Sequence, residues 1–243
     1  MKLSNQLAEL AGAFAADGSM QQKHLCFWGN LTEDKPYYDT ILKNLFLDEF
    51  KIVTRPHPKP SNSVYGFYVC KPEILRVFNK VLNFPIGSKT YTVQVPKSIL
   101  NDVQLYAHFI RGFADGDGCV HFSKRKGTAS LFKRSRHAYP RIFLSSVSFQ
   151  LLRQIQNMLM ALEIKSTLLT KKLSRKQKVP INVITIRGKA RLAQWMQKIG
   201  FNNAVHQTKI MIWSRFGFCP PYTTLAERNA ILANKLDPAS YYN

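Results

Sequence analysis

One segment of this chain is written twice. Leu10-Ala11-Gly12-Ala13-Phe14-Ala15-Ala16-Asp17-Gly18 is echoed by Ile110-Arg111-Gly112-Phe113-Ala114-Asp115-Gly116-Asp117-Gly118, at a constant offset of 100 residues. A repeat at a fixed offset means that any fold must accommodate the same unit twice. The residues after each copy agree in outline. The first copy leads into a strand-like stretch at 19–29, a helical pattern at 34–50, strand-like runs at 51–54 and 64–69, and a helix at 72–82. The second leads into strands at 119–123 and 141–147, a helix at 149–162, strands at 164–170 and 181–186, and a helix at 189–199. Hydrophobic periodicity therefore predicts helix, two strands, helix, two strands, helix in each half. The expected organisation is a first repeat at 1–84, a short linker at 85–102, a second repeat at 103–216, and a tail at 217–243. The tail has a helix opened by a Thr224-Leu225-Ala226-Glu227 capping box.

The repeated segments read as helices that touch. Ala8, Gly12 and Ala16 recur at helical spacing, and His108, Gly112 and Gly116 hold the same places in the second copy. Small residues at that spacing let two helix backbones approach closely. Gly18 and Gly118 are expected to end the helices as left-handed terminators. That puts Asp17 and Asp117 at helix C-termini, where an acid opposes the helix dipole at a cost of about 0.3–1 kcal/mol. Placing one there twice is not a device of local stability. If the helices cross side by side, the two carboxylates meet at one edge of the molecule and repel unless a cation intervenes. Hard oxygen ligands point to Mg²⁺, with Mn²⁺ or Ca²⁺ able to take the same places. Two metal-linked carboxylates facing a phosphodiester suit hydrolysis.

Charge names the same class of partner. The 243 residues include 35 Lys plus Arg against 14 Asp plus Glu, a formal net charge of +21. This excludes a neutral metabolic enzyme surface and points to a polyanion. With 45% hydrophobic residues the chain is too apolar for a disordered basic arm. The charge is uneven: residues 1–105 carry 12 basic and 9 acidic side chains, whereas residues 106–243 carry 23 and 5. No apolar run approaches the roughly 20 residues of a membrane span, and Glu9 and Asp17 interrupt the N-terminal apolar patch, against a cleaved signal peptide. No membrane partner is expected. Cys26, Cys70, Cys119 and Cys219 form no CxxC pair, so they read as packing thiols in a reducing, intracellular compartment: a prokaryotic cytoplasm or nucleoid, or an organelle matrix.

The two nine-residue segments resemble the paired motifs of the single-chain LAGLIDADG homing endonucleases. The first agrees with that consensus at six of nine places and the second at four; both keep the third-place glycine and the terminal Asp-Gly. The resemblance runs from Leu3 to about Arg215. It implies an α+β fold of two pseudo-symmetric αββαββα repeats packed through their motif helices. Each repeat would carry a four-stranded antiparallel sheet, the pair forming a DNA-binding saddle. It implies an intron-encoded, monomeric enzyme that binds a long double-stranded DNA site and hydrolyses both strands with divalent metal. By position, Asp17 and Asp117 would be the metal-binding catalytic acids, assisted by the carbonyls of Ala16 and Gly116, whereas Asp115 would not be catalytic. A basic residue after each repeat's last helix would approach the centre, at Lys89 and at His206 or Lys209. Asn30 and Ser146 would position water.

The outward positions of the first strand after the second motif, His121 and Ser123, together with Lys124, Arg125, Lys126 and Arg141, read as base or phosphate contacts. Lys171, Lys172 and Arg175 form a second cationic turn with the same expected role. In the first repeat the corresponding positions are Gln21 and Lys23, or Gln22 and His24. Two further readings use the same scaffold: a maturase that binds intron RNA, and a regulator that binds DNA without cutting it.

Overall fold

The computed structural model describes residues 2–125, 134–171 and 179–242. Ser4 caps α1 (Asn5–Asp17) by accepting from Leu7 N, and the chain then turns directly into β1 (Gly18–Met20) and β2 (Leu25–Asn30). A wide helical turn at Tyr37–Leu42 leads into α2 (Lys43–Phe50), followed by β3 (His57–Lys59), β4 (Val64–Val69) and α3 (Pro72–Arg76). After α4 (Lys97–Leu100) the pattern recurs as α5 (Tyr106–Asp117), β5 (Gly118–Ser123), β6 (Tyr139–Ser146), α6 (Phe149–Ala161), β7 (Thr167–Lys171), β8 (Ile181–Arg187) and α7 (Lys189–Lys198). Two helices close the chain, α8 (Ala204–Phe216) and α9 (Leu225–Leu232). The fold class is α+β. Each repeat has one antiparallel sheet, and the strand orders, β1-β2-β4-β3 and β5-β6-β8-β7, are the same.

The motif helices hold the halves together. A Cβ on Gly12 would lie 2.0 Å from the Phe109 carbonyl oxygen of α5, and a Cβ on Gly112 would lie 2.0 Å from the Glu9 carbonyl oxygen of α1. Each glycine thus yields its side-chain space to the other helix's backbone. Beside this crossing the buried Glu9 pairs with Arg111 Nη2 at 2.5 Å and accepts from Asn202 Nδ2 at 2.6 Å. Burial by itself would raise the Glu9 pKa, but hydrogen bonds to His108 and Arg111, with the Arg111 charge, hold it below the usual carboxylate value.

Three local expectations change. Gly18 and Gly118 are extended, at φ −78° and −91°, and not left-handed. These positions require room: a Cβ would lie 2.2 Å from the Phe14 ring at Gly18 and 2.1 Å from the Ala114 oxygen at Gly118. The strand-like stretch at 19–29 is two strands, reversed where Gln21 N donates to His24 O at 2.7 Å. No strand forms at 51–54. Lys51 adopts φ 55° to end α2, and the strand comes later as the three-residue edge β3, where Pro58 costs no ladder bond on its outer side. The segment 85–102 buries Val93, Val95 and Ile99. It is pinned to the second repeat by Ser148 Oγ donating to Val93 O and by Val95 N donating to Gln154 Oε1, both at 2.8 Å.

The tail is also a tie. Arg228 on α9 is buried and donates to Thr208 Oγ1 at 2.9 Å, to Glu33 Oε2 at 2.8 Å and to the Thr223 carbonyl. It thereby joins α8 to the first repeat. The expected Thr224–Glu227 capping box is present.

Candidate active site

Both repeated helices stop at their aspartate because the next residue enters a strand, so Asp17 and Asp117 emerge on the same side of the α1–α5 crossing. The two helix ends are in close contact: a Cβ on Gly116 would lie 2.7 Å from Asp17 Oδ2 and 2.8 Å from Ala16 Cβ. Asp17 is half-buried. Burial, then the charges of Asp117 and Asp34, push its pKa up to about 8. Asp117 keeps an exposed edge, yet loss of solvent around it pushes its pKa up to about 6 against the lowering charge of Lys89.

Lys89 comes from the segment between the repeats. Its Nζ donates to Ala15 O at 2.7 Å and to Ala16 O at 3.1 Å. Burial lowers its pKa while Asp117 and Asp17 raise it. It lines a cavity of about 290 Å³ together with Asp117, Ser145 and Ser146, so Lys89, Ser146 and Asp117 share one space. Asn30 does not join Asp17 in this way. Its Oδ1 accepts from Thr32 N and Glu33 N at 3.0 Å, which commits it to the turn after β2.

The second repeat's basic residue is not where Lys89 would lead one to expect it. His206 is buried against the Phe201 ring at 4.7 Å, and burial drives its pKa down to about 3, so it is a neutral packing residue. Lys209 lies one turn further along α8, and its charge bears on His121, His206 and Cys219. The position related to Lys89 by the repeat is held by Asn203, whose Nδ2 donates to Asp115 O at 3.0 Å as Lys89 donates to Ala15 O. Asp115 itself is buried and accepts from the backbone N–H groups of Asn202 and Asn203 at 3.0–3.1 Å. Burial raises its pKa to about 7 despite those bonds. It anchors the entry to α8 and does not face the motif pair.

Sequence reading missed two neighbours of Asp17. Asp34 accepts from Asn203 Nδ2 at 2.9 Å and from Asn30 N at 2.8 Å, and its charge reaches Asp17. Tyr38 is fully buried beside both acids, and burial followed by the charges of Asp17 and Asp34 raises its hydroxyl pKa. Neither lies in a repeated position, since residues 134 and 138 are Arg and Ala; pattern could not have found them.

The two sheets present different outward faces. In β5, Val120 and Phe122 are buried while Cys119, His121 and Ser123 look outward. His121 pairs with Arg141, and Arg141 with Arg187, so the three form a row across the sheet. Burial and the Arg187 charge lower the Arg141 pKa, and among the described residues Nε of each arginine finds no hydrogen-bond partner. Ser123 Oγ donates to Arg125 O, Lys124 lies over the Tyr242 ring at 5.5 Å, and Lys171 is exposed at the end of β7. Lys126, Lys172 and Arg175 lie outside the described residues. On the first sheet Gln21 and Lys23 sit in the β1–β2 turn and not on the strand face. That face carries Trp28, His57 and Tyr68 in mutual ring contact at 5.1–6.0 Å, with Lys59 over Trp28 at 5.8 Å.

Residues 104–200 match the family described as the LAGLIDADG-like domain. The whole architecture is similar to the crystal structure of I-DmoI in complex with DNA and Mn, with a TM-score of 0.53 at 12% identity over 81% of this chain and 96% of that one. The chain has the LAGLIDADG fold. The similarity to mesophilic variants of the homing endonuclease I-DmoI is comparable: TM-score 0.54, 14% identity, 82% of this chain and 97% of the other. Full-length DUF199/WhiA from Thermatoga maritima matches 95% of this chain over 66% of its own, with a TM-score of 0.52 at 15% identity. No curated protein matches the sequence. Within the LAGLIDADG fold the first repeat is thus recognised through its shape and the second through its sequence as well. Among the described residues no helix is long and apolar enough to cross a membrane.

Proposed function

We propose that this protein is a site-specific endonuclease that binds a long double-stranded DNA site and hydrolyses both strands with a divalent cation. One observation carries the reading: the crossing at Gly12 and Gly112 brings two motif carboxylates, Asp17 and Asp117, to one edge, where neither has an ion-pair partner among the described residues. Two carboxylates that resist ionising beside each other, next to the peptide oxygens of Ala16 and Gly116, are a donor set suited to a hard cation such as Mg²⁺ or Mn²⁺. Bound there, the cation would lower the pKa of water and stabilise charge on the phosphoryl oxygens.

The chain's own residues have separate tasks. Asp17 and Asp117 hold the ion. Lys89 places an ammonium in the cavity shared with Asp117, where it offsets negative charge growing on the phosphate. Arg141 and Arg187 hold the duplex by its phosphates, and His121 reaches towards the groove. The reading also draws on the fold shared with I-DmoI, which binds DNA and Mn in the matched structure.

Duplexes recovered by binding selection from a randomised library, incubated with and without Mg²⁺, test the proposal. Cleavage of both strands only with the metal is expected, with Asp17→Asn and Asp117→Asn still binding but no longer cutting. Full cleavage by either variant removes the metal assignment. A second reading, binding of an RNA with unpaired bases, is favoured by the Trp28, His57 and Tyr68 face, since aromatic rings suit splayed bases better than a closed duplex. Preference for a structured RNA over the selected duplex would support it.

A further inference from the structure

The faces that the two sheets turn away from the core carry different chemistry. On the second sheet the outward row is His121, Arg141 and Arg187. On the first, rings outnumber cations. Trp28 of β2 lies opposite Gly66 of β4, and a Cβ on Gly66 would come within 2.8 Å of the indole Cε3. The indole thus fills the space that the glycine leaves. Tyr68 and His57 stand across it at 76° and 88°, with ring centroids 5.1 and 5.4 Å away. His57 Nδ1 donates to Arg55 O at 3.1 Å, and the His24 ring meets Tyr68 edge-on at 5.3 Å, so the rings are braced. Tyr68 is 43% exposed, and Lys59 lies over the indole at 5.8 Å. The described strands of this sheet carry no arginine and one amide, Asn30, whose Oδ1 is held by the turn after β2. Forked hydrogen bonding to base edges, the commonest way of reading a groove, is therefore poorly served here.

We propose that the first sheet selects its half of the site by packing Trp28 and Tyr68 against the 5-methyl groups of thymines, while the second sheet holds its half chiefly by phosphates. The inference rests on the duplex-binding part of the reading above and needs no cut in either strand. A ring face offers an approaching base edge no charge and no hydrogen-bond fork. What it can do is bury apolar surface, and the apolar group that a closed duplex presents in its major groove is the thymine methyl. Each methyl so buried contributes about fourfold in affinity. Because the rings already hold one another, little side-chain freedom is lost on contact. The base preference of the first half-site is thus set by rings, and the salt dependence of binding by the other half.

Equilibrium binding of the full chain to a duplex recovered by binding selection tests this, in chelator so that the duplex stays whole. Deoxyuridine replaces thymidine throughout one half of the site and then throughout the other, which removes the methyl groups and keeps the pairing. One half is expected to lose at least about fourfold in affinity and the other less than about twofold. Trp28→Ala and Tyr68→Ala should each bind the thymidine duplex more weakly and shrink the difference between thymidine and deoxyuridine. Arg141→Gln should bind more weakly and keep that difference whole. Thermal melting verifies that the variants are folded, and the comparison of the two duplexes with the unsubstituted protein does not depend on them. Equal affinity for thymidine and deoxyuridine in both halves overturns the inference and leaves the endonuclease reading intact. So does a difference that Trp28→Ala and Tyr68→Ala leave undiminished. Failure to bind any duplex, or preference for a structured RNA, overturns the endonuclease reading and this inference with it.

Discussion

Replacing Asp17 by Asn should stabilise the metal-free protein, and the gain should grow with pH. In the folded chain the Asp17 pKa is pushed from 3.8 up to about 8 by burial and by Asp117 and Asp34. A raised acid binds its proton more tightly folded than unfolded, so its contribution is present at low pH and is lost as pH rises towards the folded pKa. The full shift would correspond to a ceiling of about 6 kcal/mol above pH 8. Asp17 is partly open to water, so a net gain of about 2 kcal/mol for Asp17→Asn at pH 8.5 is the working expectation. The informative window is pH 7 to 8. Asp117, at about 6, has largely ionised by then, whereas Asp115, at about 7, is half ionised at pH 7 and adds the same small slope to both proteins; His206, held neutral with a pKa near 3, affects the slope only below about pH 6.5. The unsubstituted protein should lose more stability than Asp17→Asn across that unit, the difference being at most about 1 kcal/mol. Urea unfolding at pH 7.0, 7.5 and 8.0 in chelator measures this directly. Adding Mg²⁺ should restore stability to the unsubstituted protein and much less to the variant. If Asp17→Asn unfolds at lower urea at pH 8, or shows the same slope, the two carboxylates are not in conflict and the case for a cation between the helices fails.

Other positions give separate checks. Gly112→Ala forces a Cβ to within 2.0 Å of the Glu9 oxygen, and the required separation of the motif helices should cost more than about 3 kcal/mol in urea unfolding. Arg111→Met strands the Glu9 carboxylate, whose side chain is only 3% exposed, and should cost about 3–5 kcal/mol. Arg141→Gln and Arg187→Gln should each lower the slope of log affinity against log salt by about 1. Trp28→Ala should weaken binding with the slope unchanged, and equal slopes for all three would mean that the asymmetry between the faces is incidental.

How legible each part of the fold was in the sequence depends on the kind of signal it carries. The repeat and the glycine stripe were plain, because close helix contact admits few residue types. The strand at 64–69 is readable to the residue because its short apolar, aromatic-rich run and its flanking turn residues act locally. The failures are non-local. Residues 51–54 have strand composition, but the chain needs a left-handed residue there to leave α2, and that need is set by the position of β4. That 85–102 joins the repeats is readable from its lack of helix formers, but the surface on which Val93, Val95 and Ile99 are buried is not. The resemblance puts a basic residue after each repeat's last helix, at Lys89 and at His206 or Lys209; the structure puts Lys89 beside both motif helix ends and His206 in the core, because α7 is followed at once by α8. Asp34 and Tyr38 reach Asp17, and Asn203 reaches Asp115, only when each repeat folds back on its own motif helix, and nothing in their spacing announces it.

The pairing of Glu9 with Arg111 restricts how such a protein could be taken apart and rebuilt. The repeat-related residue of Glu9 is Phe109, and that of Arg111 is Ala11, so the ion pair exists in one direction only. Two copies of the first repeat, mated through the same helix, would bury two carboxylates with no guanidinium. Two copies of the second would bring two arginines to a seam without an acid. The halves are therefore complementary as plug and socket are, and neither can serve as its own mate. Any chimera that exchanges one repeat for a relative's must carry this charge across with it, or the two glycines will cross beside a buried charge without a partner.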